Sequence, residues 1–152
     1  MECEDPMTTA PPPASAPSQW ELHPQLASDT VPVGDLGLSR LLASRDANYP
    51  WLLLVPRRPG VTEIIDLNIV DQSELLHEVS QVARALKSVT ACDKLNIAAI
   101  GNVVAQLHVH IVARRRTDAA WPKPVWGAVP ALAYAPGALE CFVLAVRNEI
   151  GL

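Results

Sequence analysis

The stretch that decides the fold of this chain lies at residues 106–112, which read Gln106-Leu107-His108-Val109-His110-Ile111-Val112. Side chains alternate across a β-strand, so the pattern predicts a strand over residues 106–113 with Gln106, His108 and His110 on one face. A rise of about 3.3 Å per residue spaces successive side chains on that face by roughly 7 Å. The other face is uniformly apolar, and we therefore expect it to pack in the core.

The rest of the sheet is predicted from short apolar runs between turn signals. These runs cover residues 38–43, 51–55 and 94–100. The run 51–55 lies between Pro50 and Pro56 and is apolar on both sides, which is typical of a central strand. Residues 20–38 indicate a short helix or turn followed by a first strand.

Two helices complete the pattern. Asp71 and Glu74 resemble a capping box, and apolar residues then recur at helical spacing to Val89. Residues 137–150 form a second amphipathic segment at the C-terminus. This order predicts an α+β fold with a mostly antiparallel five-stranded sheet, one long helix and a C-terminal helix.

The length of 152 residues and the hydrophobic content of 49% are typical of one globular domain. Residues 1–18 are rich in Pro, Ala, Ser and Thr and predict a disordered tail, which leaves residues 19–152 as the folded unit. No apolar run approaches the ~18 residues of a membrane span, and the N-terminus does not resemble a secretory signal. We therefore expect a cytoplasmic protein with no membrane partner.

The formal net charge of −4 argues against a surface built throughout to bind nucleic acid. The first 39 residues carry six acids and no Lys or Arg, so the rest of the chain is mildly basic. The run Arg114-Arg115-Arg116, with Trp121 and Trp126 nearby, resembles a nucleic-acid patch. We interpret it instead as a solvated charge run after a strand, with the two Trp covering the sheet or a dimer surface.

The two close histidines have three interpretations. They could be surface residues that happen to lie at i and i+2, or two ligands of a metal ion that needs a third ligand from elsewhere. The remaining candidates for that third ligand are His23, His77, Cys92 and Cys141, and none is convincing, so we expect no metal site and no cofactor. Cys3, Cys92 and Cys141 also form no CxxC motif and indicate no disulfide framework.

The third interpretation is nucleophilic catalysis. A neutral imidazole attacks phosphorus if its other ring nitrogen is held by a hydrogen-bond acceptor, which fixes the tautomer and stabilises the developing charge. A neighbouring histidine and a carboxamide can then contact the phosphoryl oxygens, where charge grows in the transition state.

Residues 106–112 resemble the signature of the histidine triad (HIT) family, in which three histidines alternate with apolar residues; here Gln106 takes the first histidine position. Residues 101–105 resemble the glycine-led segment that precedes the signature, and residues 49–58 resemble a family strand that ends in Pro and a basic pair. Residues 120–127 are similar to those of a bacterial branch of the family. The resemblance spans roughly residues 36–116 and implies a single HIT-like domain.

The resemblance implies a nucleotide hydrolase or transferase that acts at the α-phosphate of a nucleoside phosphoramidate or dinucleoside polyphosphate, without a metal in the chemical step. His108 would be the nucleophile and would carry a nucleotidyl-imidazole intermediate. His110 would bind phosphate oxygens, and Gln106 would replace a histidine on the phosphate side. The implied partners are a purine nucleotide or dinucleoside polyphosphate and a second copy of the chain in a homodimer.

Three further positions are candidate nucleotide-binding residues. Asn102 has the parity to reach the same face as His108, and the resemblance implies that Asn96 or Asp46 contacts the ribose hydroxyls. Each of the three is also typical of a turn or surface residue.

Three departures from the family pattern leave the activity open. Gln106 cannot carry a proton charge, Trp51 lies where a fourth active-site histidine is frequent, and Val103 lies where a phosphate-binding hydroxyl is usual. Turnover is then slow, or the substrate differs, or the protein mainly binds a nucleotide.

Overall fold

The computed structural model of this chain describes residues 19–152. The predicted disordered tail, residues 1–18, lies outside the described residues. The elements in chain order are α1 (Pro24–Asp29), β1 (Thr30–Asp35), β2 (Ser39–Ser44), β3 (Trp51–Pro56), a 3₁₀ turn (Ile64–Asp66), α2 (Ile69–Thr90), β4 (Lys94–Ala98), β5 (Val109–Arg114) and α3 (Ala138–Ile150).

The five strands form one sheet in the order β1-β2-β3-β5-β4, and every neighbouring pair is antiparallel. The predicted α+β fold with an antiparallel five-stranded sheet, a long helix and a C-terminal helix is therefore confirmed. In residues 19–152 no helix has the combination of length and apolar character that a membrane crossing requires.

One face of the sheet packs against α2 and α3 and forms the main core. Leu107, Val109 and Ile111 belong to this core together with Val82 of α2 and Val146 of α3. The predicted alternation along residues 107–111 is confirmed, since the side chains of odd number face the helices. The even-numbered histidines consequently lie on the opposite, outer face of the sheet.

The outer face is partly covered by the N-terminal segment and by the loops after β5. Leu26 packs with Leu53 and Val104, and Trp20 and Leu22 pack against the same cluster. A second cluster gathers around Val112 and includes Tyr49, Ala120, Val125, Trp51 and Trp126. His108 and His110 lie on this outer face and are 7% and 8% exposed.

The last strand begins three residues later than predicted, at Val109 instead of residue 106. Its neighbour β3 ends at Pro56, which has no N–H to continue the ladder. The N–H of Leu107 donates to the Val61 carbonyl at 3.0 Å instead. Gln106 and His108 therefore precede the strand, although His108 keeps the orientation that the alternation predicts.

The long helix begins at Ile69, and its N-cap is Asn68 instead of the predicted Asp71. Asn68 Oδ1 accepts a hydrogen bond from the Asp71 N–H at 2.9 Å. The Asp71 carboxylate lies 2.7 and 2.8 Å from nitrogens of Arg58 and forms an ion pair with it. The predicted capping box is wrong because Asp71 has this distant partner, and because Ile69 is largely exposed and lies outside the apolar periodicity.

Arg114 is not solvated as predicted, since only 1% of the residue is exposed. Its guanidinium donates to Asp118 Oδ2 at 2.7 Å and Oδ1 at 3.0 Å, and to Asn96 Oδ1 at 2.6 Å. The rings of Tyr49 and Trp121 lie 5.8 and 5.6 Å from the guanidinium carbon. We call these five residues the arginine cluster. Arg115 and Arg116 are exposed, as the interpretation of a solvated run predicts.

Candidate active site

A cavity of about 860 Å³ opens on the outer face of the sheet and contains both histidines in its wall. This volume lies within the ~300–1,000 Å³ range of small-molecule sites. The wall is mostly apolar. Its other residues come from α1, the start of β1, β3 and the segments 44–46, 100–104 and 131–133, together with Trp126. Arg45, Asp29 and Asp46 are its charged members.

His108 is held through one ring nitrogen. Its Nδ1 lies 2.6 Å from the main-chain carbonyl oxygen of Gln106. Because a carbonyl can only accept, Nδ1 carries a proton, and in the neutral form of the ring the lone pair is on Nε2. Within residues 19–152 this Nε2 has no hydrogen-bond partner, so the ring presents a free nucleophilic nitrogen in the wall of the cavity.

His110 is held by an indole. Trp51 Nε1 donates to His110 Nδ1 at 3.0 Å. Burial, with a smaller contribution from the nearby His108, lowers the pKa of His110 from 6.5 to about 4. The ring is therefore neutral near pH 7.

The two imidazole rings are adjacent, with centroids 4.7 Å apart in an edge-to-face arrangement. Trp126 lies on the other side of His110 at 5.4 Å and also contacts Trp51 at 5.8 Å. His110 is thus enclosed by two indoles and one imidazole. Such packing fixes its orientation toward the cavity.

Gln106 has a different position from the one that the sequence suggests for a phosphate ligand. Its Oε1 accepts from the His23 N–H at 2.9 Å, and its Nε2 donates to the Glu21 carbonyl at 2.8 Å. Gln106 is absent from the cavity wall. Its side chain ties the N-terminal segment to the sheet, while its main-chain carbonyl fixes His108.

The structure brings two of the three candidate nucleotide-binding residues to the cavity. Asn102 and Asp46 line it. Asp46 Oδ1 accepts from Asn48 and from the Leu132 N–H at 3.1 Å, which positions the rim, and its Oδ2 accepts no hydrogen bond from the described part of the chain. Asn96 lies in the arginine cluster instead and does not line the cavity.

Two contributors to the site were missed by the sequence reasoning. Trp126, interpreted as a cover for the sheet or a dimer, packs directly against His110 and lines the cavity. Arg45 lines the cavity as its one cationic side chain among the described residues. Their signals in the sequence, a Trp in a proline-rich loop and an isolated Arg after a strand, are not specific to a site.

The metal interpretation of the two histidines finds no third ligand. Within residues 19–152, no three His, Cys, Asp or Glu side chains are grouped so that they could bind a metal ion. Trp51 occupies Nδ1 of His110, and Gln106 occupies Nδ1 of His108. Cys92 is buried and Cys141 exposed, and both are free thiols.

This chain is similar to known proteins in both sequence and structure. The protein-family model described as HIT domain matches residues 25–117. A histidine triad protein from Bradyrhizobium japonicum is 58% identical, with a TM-score of 0.86, and the match covers 88% of this chain and 99% of that one. No curated protein matches the sequence significantly.

Two further solved structures are similar over a comparable length. A histidine triad protein from Sinorhizobium meliloti is 39% identical with a TM-score of 0.84, over 86% of this chain and 96% of that one. A histidine triad protein from Marinobacter aquaeolei is 36% identical with a TM-score of 0.85, over 88% and 98% of the two chains.

Proposed function

This chain belongs to the histidine triad (HIT) domain family, and from that premise we propose that it hydrolyses or transfers a nucleotide through a covalent intermediate on His108. Proteins of this family are generally nucleotide-binding proteins and hydrolases or transferases. The observation that carries the proposal is the His108 ring, whose Nδ1 is fixed by a carbonyl and whose Nε2 lone pair is free in the wall of a cavity.

In the proposed reaction, Nε2 of His108 attacks the α-phosphorus of a nucleoside phosphoramidate or dinucleoside polyphosphate. The P–N or P–O bond to the leaving group breaks, and the leaving group departs with the bonding electron pair and takes a proton from solvent. Water then attacks the nucleotidyl-imidazole, the P–N bond to His108 breaks, and the water proton returns to solvent. The Gln106 carbonyl stabilises the positive charge that develops on the ring while Nδ1 stays protonated.

His110 is proposed to bind the phosphoryl oxygens beside His108. The ring centroids lie 4.7 Å apart, so one phosphoryl group can contact both. Gln106 is proposed to act through its main-chain carbonyl, which holds the His108 ring, since its carboxamide is bound to the N-terminal segment. The assigned roles require no metal ion in the chemical step and no cofactor.

The nucleoside is proposed to occupy the apolar part of the cavity. Leu26, Leu53 and Trp126 offer a surface for a purine base. Two lining residues are the candidates for the ribose hydroxyls: Asp46, with Oδ2 free of partners in the described residues, and Asn102. A purine nucleotide or dinucleoside polyphosphate therefore remains the proposed ligand.

The proposal is tested by assaying the purified protein with adenosine phosphoramidate and diadenosine tetraphosphate. The His108→Ala variant should lose about 10⁴-fold or more in kcat, because the attacking atom is gone. The matched control is His77→Ala, which removes an exposed histidine of α2 and should leave kcat unchanged. Equal turnover in His108→Ala and the wild type would overturn the proposal.

A binding protein with little turnover is the second candidate. Trp51 and the 93% exposed Val103 stand where the family resemblance places polar groups, so fewer donors surround the phosphate than in a full triad. Calorimetric binding of AMP together with no release of product from either substrate would favour this function. Product release above the His108→Ala background would favour the enzyme.

We also propose that the protein is a homodimer joined at β4. Within residues 19–152 this strand pairs only with β5, and Ile97 on it is 49% exposed. An edge strand pairs antiparallel with its own copy about a two-fold axis. Analytical ultracentrifugation should give twice the 16.4 kDa chain mass for the wild type. The variant Ile97→Lys should shift the protein to monomer. A monomeric wild type would contradict the dimer.

A further inference from the structure

The hydrogen bond between Trp51 and His110 determines which nitrogen of His110 carries a proton. An indole N–H can donate and cannot accept. His110 Nδ1, 3.0 Å from Trp51 Nε1, must therefore be the acceptor and carry no proton. Because burial keeps the ring neutral at pH 7, with its pKa lowered to about 4, its one proton is on Nε2.

The neighbouring ring has the reverse arrangement. His108 donates from Nδ1 to the Gln106 carbonyl at 2.6 Å, so the neutral form of this ring has its proton on Nδ1 and its lone pair on Nε2. Two imidazoles in edge-to-face contact thus present different chemistry to the same cavity. His108 presents a lone pair, which can attack phosphorus, and His110 presents an N–H, which can donate to a phosphoryl oxygen.

The indole that sets this pattern is itself held in place. Trp51 begins β3, where its backbone pairs with Val112. Its ring makes edge contacts with Tyr49 at 6.4 Å and with Trp126 at 5.8 Å. Since Trp126 also packs against His110, neither the indole nor the imidazole can turn without disturbing the other.

We propose that Trp51 is a positioning residue that holds His110 in the Nε2–H tautomer, opposite to His108, so that His110 donates a hydrogen bond to the phosphoryl oxygen of the substrate. A lone pair at that place would repel the anionic oxygen, whereas a neutral N–H stabilises the charge that develops there. The role in catalysis rests on the proposed function, while the assignment of the two tautomers does not.

The tautomers are measured directly by long-range ¹H–¹⁵N NMR of the ring nitrogens, on the full chain labelled with ¹⁵N-histidine at pH 7. The wild type should show an Nε2–H pattern for His110 and an Nδ1–H pattern for His108. An Nδ1–H or a doubly protonated ring at His110 in the wild type overturns the inference without any variant.

The variant Trp51→Phe removes the donor and keeps a ring. The Nδ1–H tautomer of His110 should then become populated, while His108 stays unchanged as an internal reference. With a substrate that the wild type turns over, kcat should fall about tenfold with KM altered less than threefold, because the donor is loosened and not removed. An unchanged His110 spectrum in this variant overturns the inference.

The matched control is Trp121→Phe, which removes an indole that packs on Arg114 and does not line the cavity. Both histidine spectra and kcat should match those of the wild type. If the spectra show opposite tautomers and His108→Ala retains full activity, the proposed function fails and the tautomer assignment stands. If the wild type is active and His110 has the Nδ1–H pattern, the tautomer assignment fails and the proposed function stands.

Discussion

Two buried polar groups lie on the outer face of the sheet, one near each end of β5. They differ in how many of their nitrogens have hydrogen-bond partners in the protein. In the arginine cluster at the C-terminal end, Arg114 donates from Nε and from both terminal nitrogens to acceptors of the protein. At the N-terminal end, His108 and His110 are each bonded only at Nδ1 within residues 19–152, and both line a cavity. Both groups are surrounded by aromatic rings.

The arginine cluster is therefore a structural polar cluster, whereas the two histidines form a reactive one. A buried charge stays in a protein only if its hydrogen bonds and its counter-charge are supplied, and Asp118 supplies both to Arg114. His110 avoids that cost by staying neutral, and each of the two rings keeps one nitrogen without a partner among the described residues. We therefore expect substitutions in the arginine cluster to change stability, and substitutions of the histidines to change chemistry.

The largest stability effect is expected for Arg114→Met. The variant leaves the Asp118 carboxylate, 7% exposed, without its cation, and the free energy of unfolding should fall by about 3–5 kcal/mol. Urea denaturation measures this loss. The double variant Arg114→Met with Asp118→Leu should recover part of it, and kcat of the folded single variant should stay within about twofold of the wild type. A loss of stability below ~1 kcal/mol would remove the structural role of the cluster.

His110 should make the stability of the folded chain depend on pH, with a smaller effect than that of Arg114→Met. Its pKa is about 4 in the folded chain and 6.5 when unperturbed, so the unfolded chain binds the proton more readily. The stability contributed by the neutral ring is complete above pH 6.5 and is lost as the pH falls toward 4, by about 3 kcal/mol at pH 4. Urea denaturation from pH 7 to 4 should show this loss in the wild type relative to His110→Gln. Parallel pH profiles of the two proteins would contradict a neutral buried His110.

The smallest effect is expected for Gln106→Ala, which tests whether the Gln106 side chain has a structural role or binds phosphate. Removing the carboxamide frees the His23 N–H and the Glu21 carbonyl, so stability should fall by about 1 kcal/mol and the His23 amide should exchange about tenfold faster. Hydrogen exchange followed by NMR measures this. If Gln106 instead binds phosphate through its side chain, kcat should fall by ~10²-fold or more while the His23 amide keeps its protection.

The fold could be predicted largely from periodicity, because burial on one side imposes a period of two on strands and 3.6 on helices. The alternation at residues 107–111 located the core face, and the spacing from Leu75 located the buried face of α2. What could not be predicted depends on partners far away in sequence. Asp71 pairs with Arg58, and the start of β5 depends on Val61, so local patterns placed both boundaries wrongly.

The candidate site could likewise be predicted only in part. His108 and His110 could be placed on one face because they lie two positions apart in an extended segment. The partner that gives His110 its chemistry could not, since Trp51 lies 59 positions before it, and the side-chain partners of Gln106 lie 83 and 85 positions before that residue. The burial of Arg114 was missed for the same reason, because a run of three arginines does not show which of them meets a carboxylate in the folded chain.

The stereochemistry of hydrolysis tests most directly whether His108 forms a covalent bond to phosphorus, as proposed. An adenosine phosphorothioate substrate chiral at the α-phosphorus is hydrolysed in ¹⁸O-labelled water, and the configuration of the product is determined. Attack by His108 followed by attack of water inverts the configuration twice, so the product should retain it. Inversion would show a single direct displacement by water and would contradict the nucleotidyl-histidine intermediate.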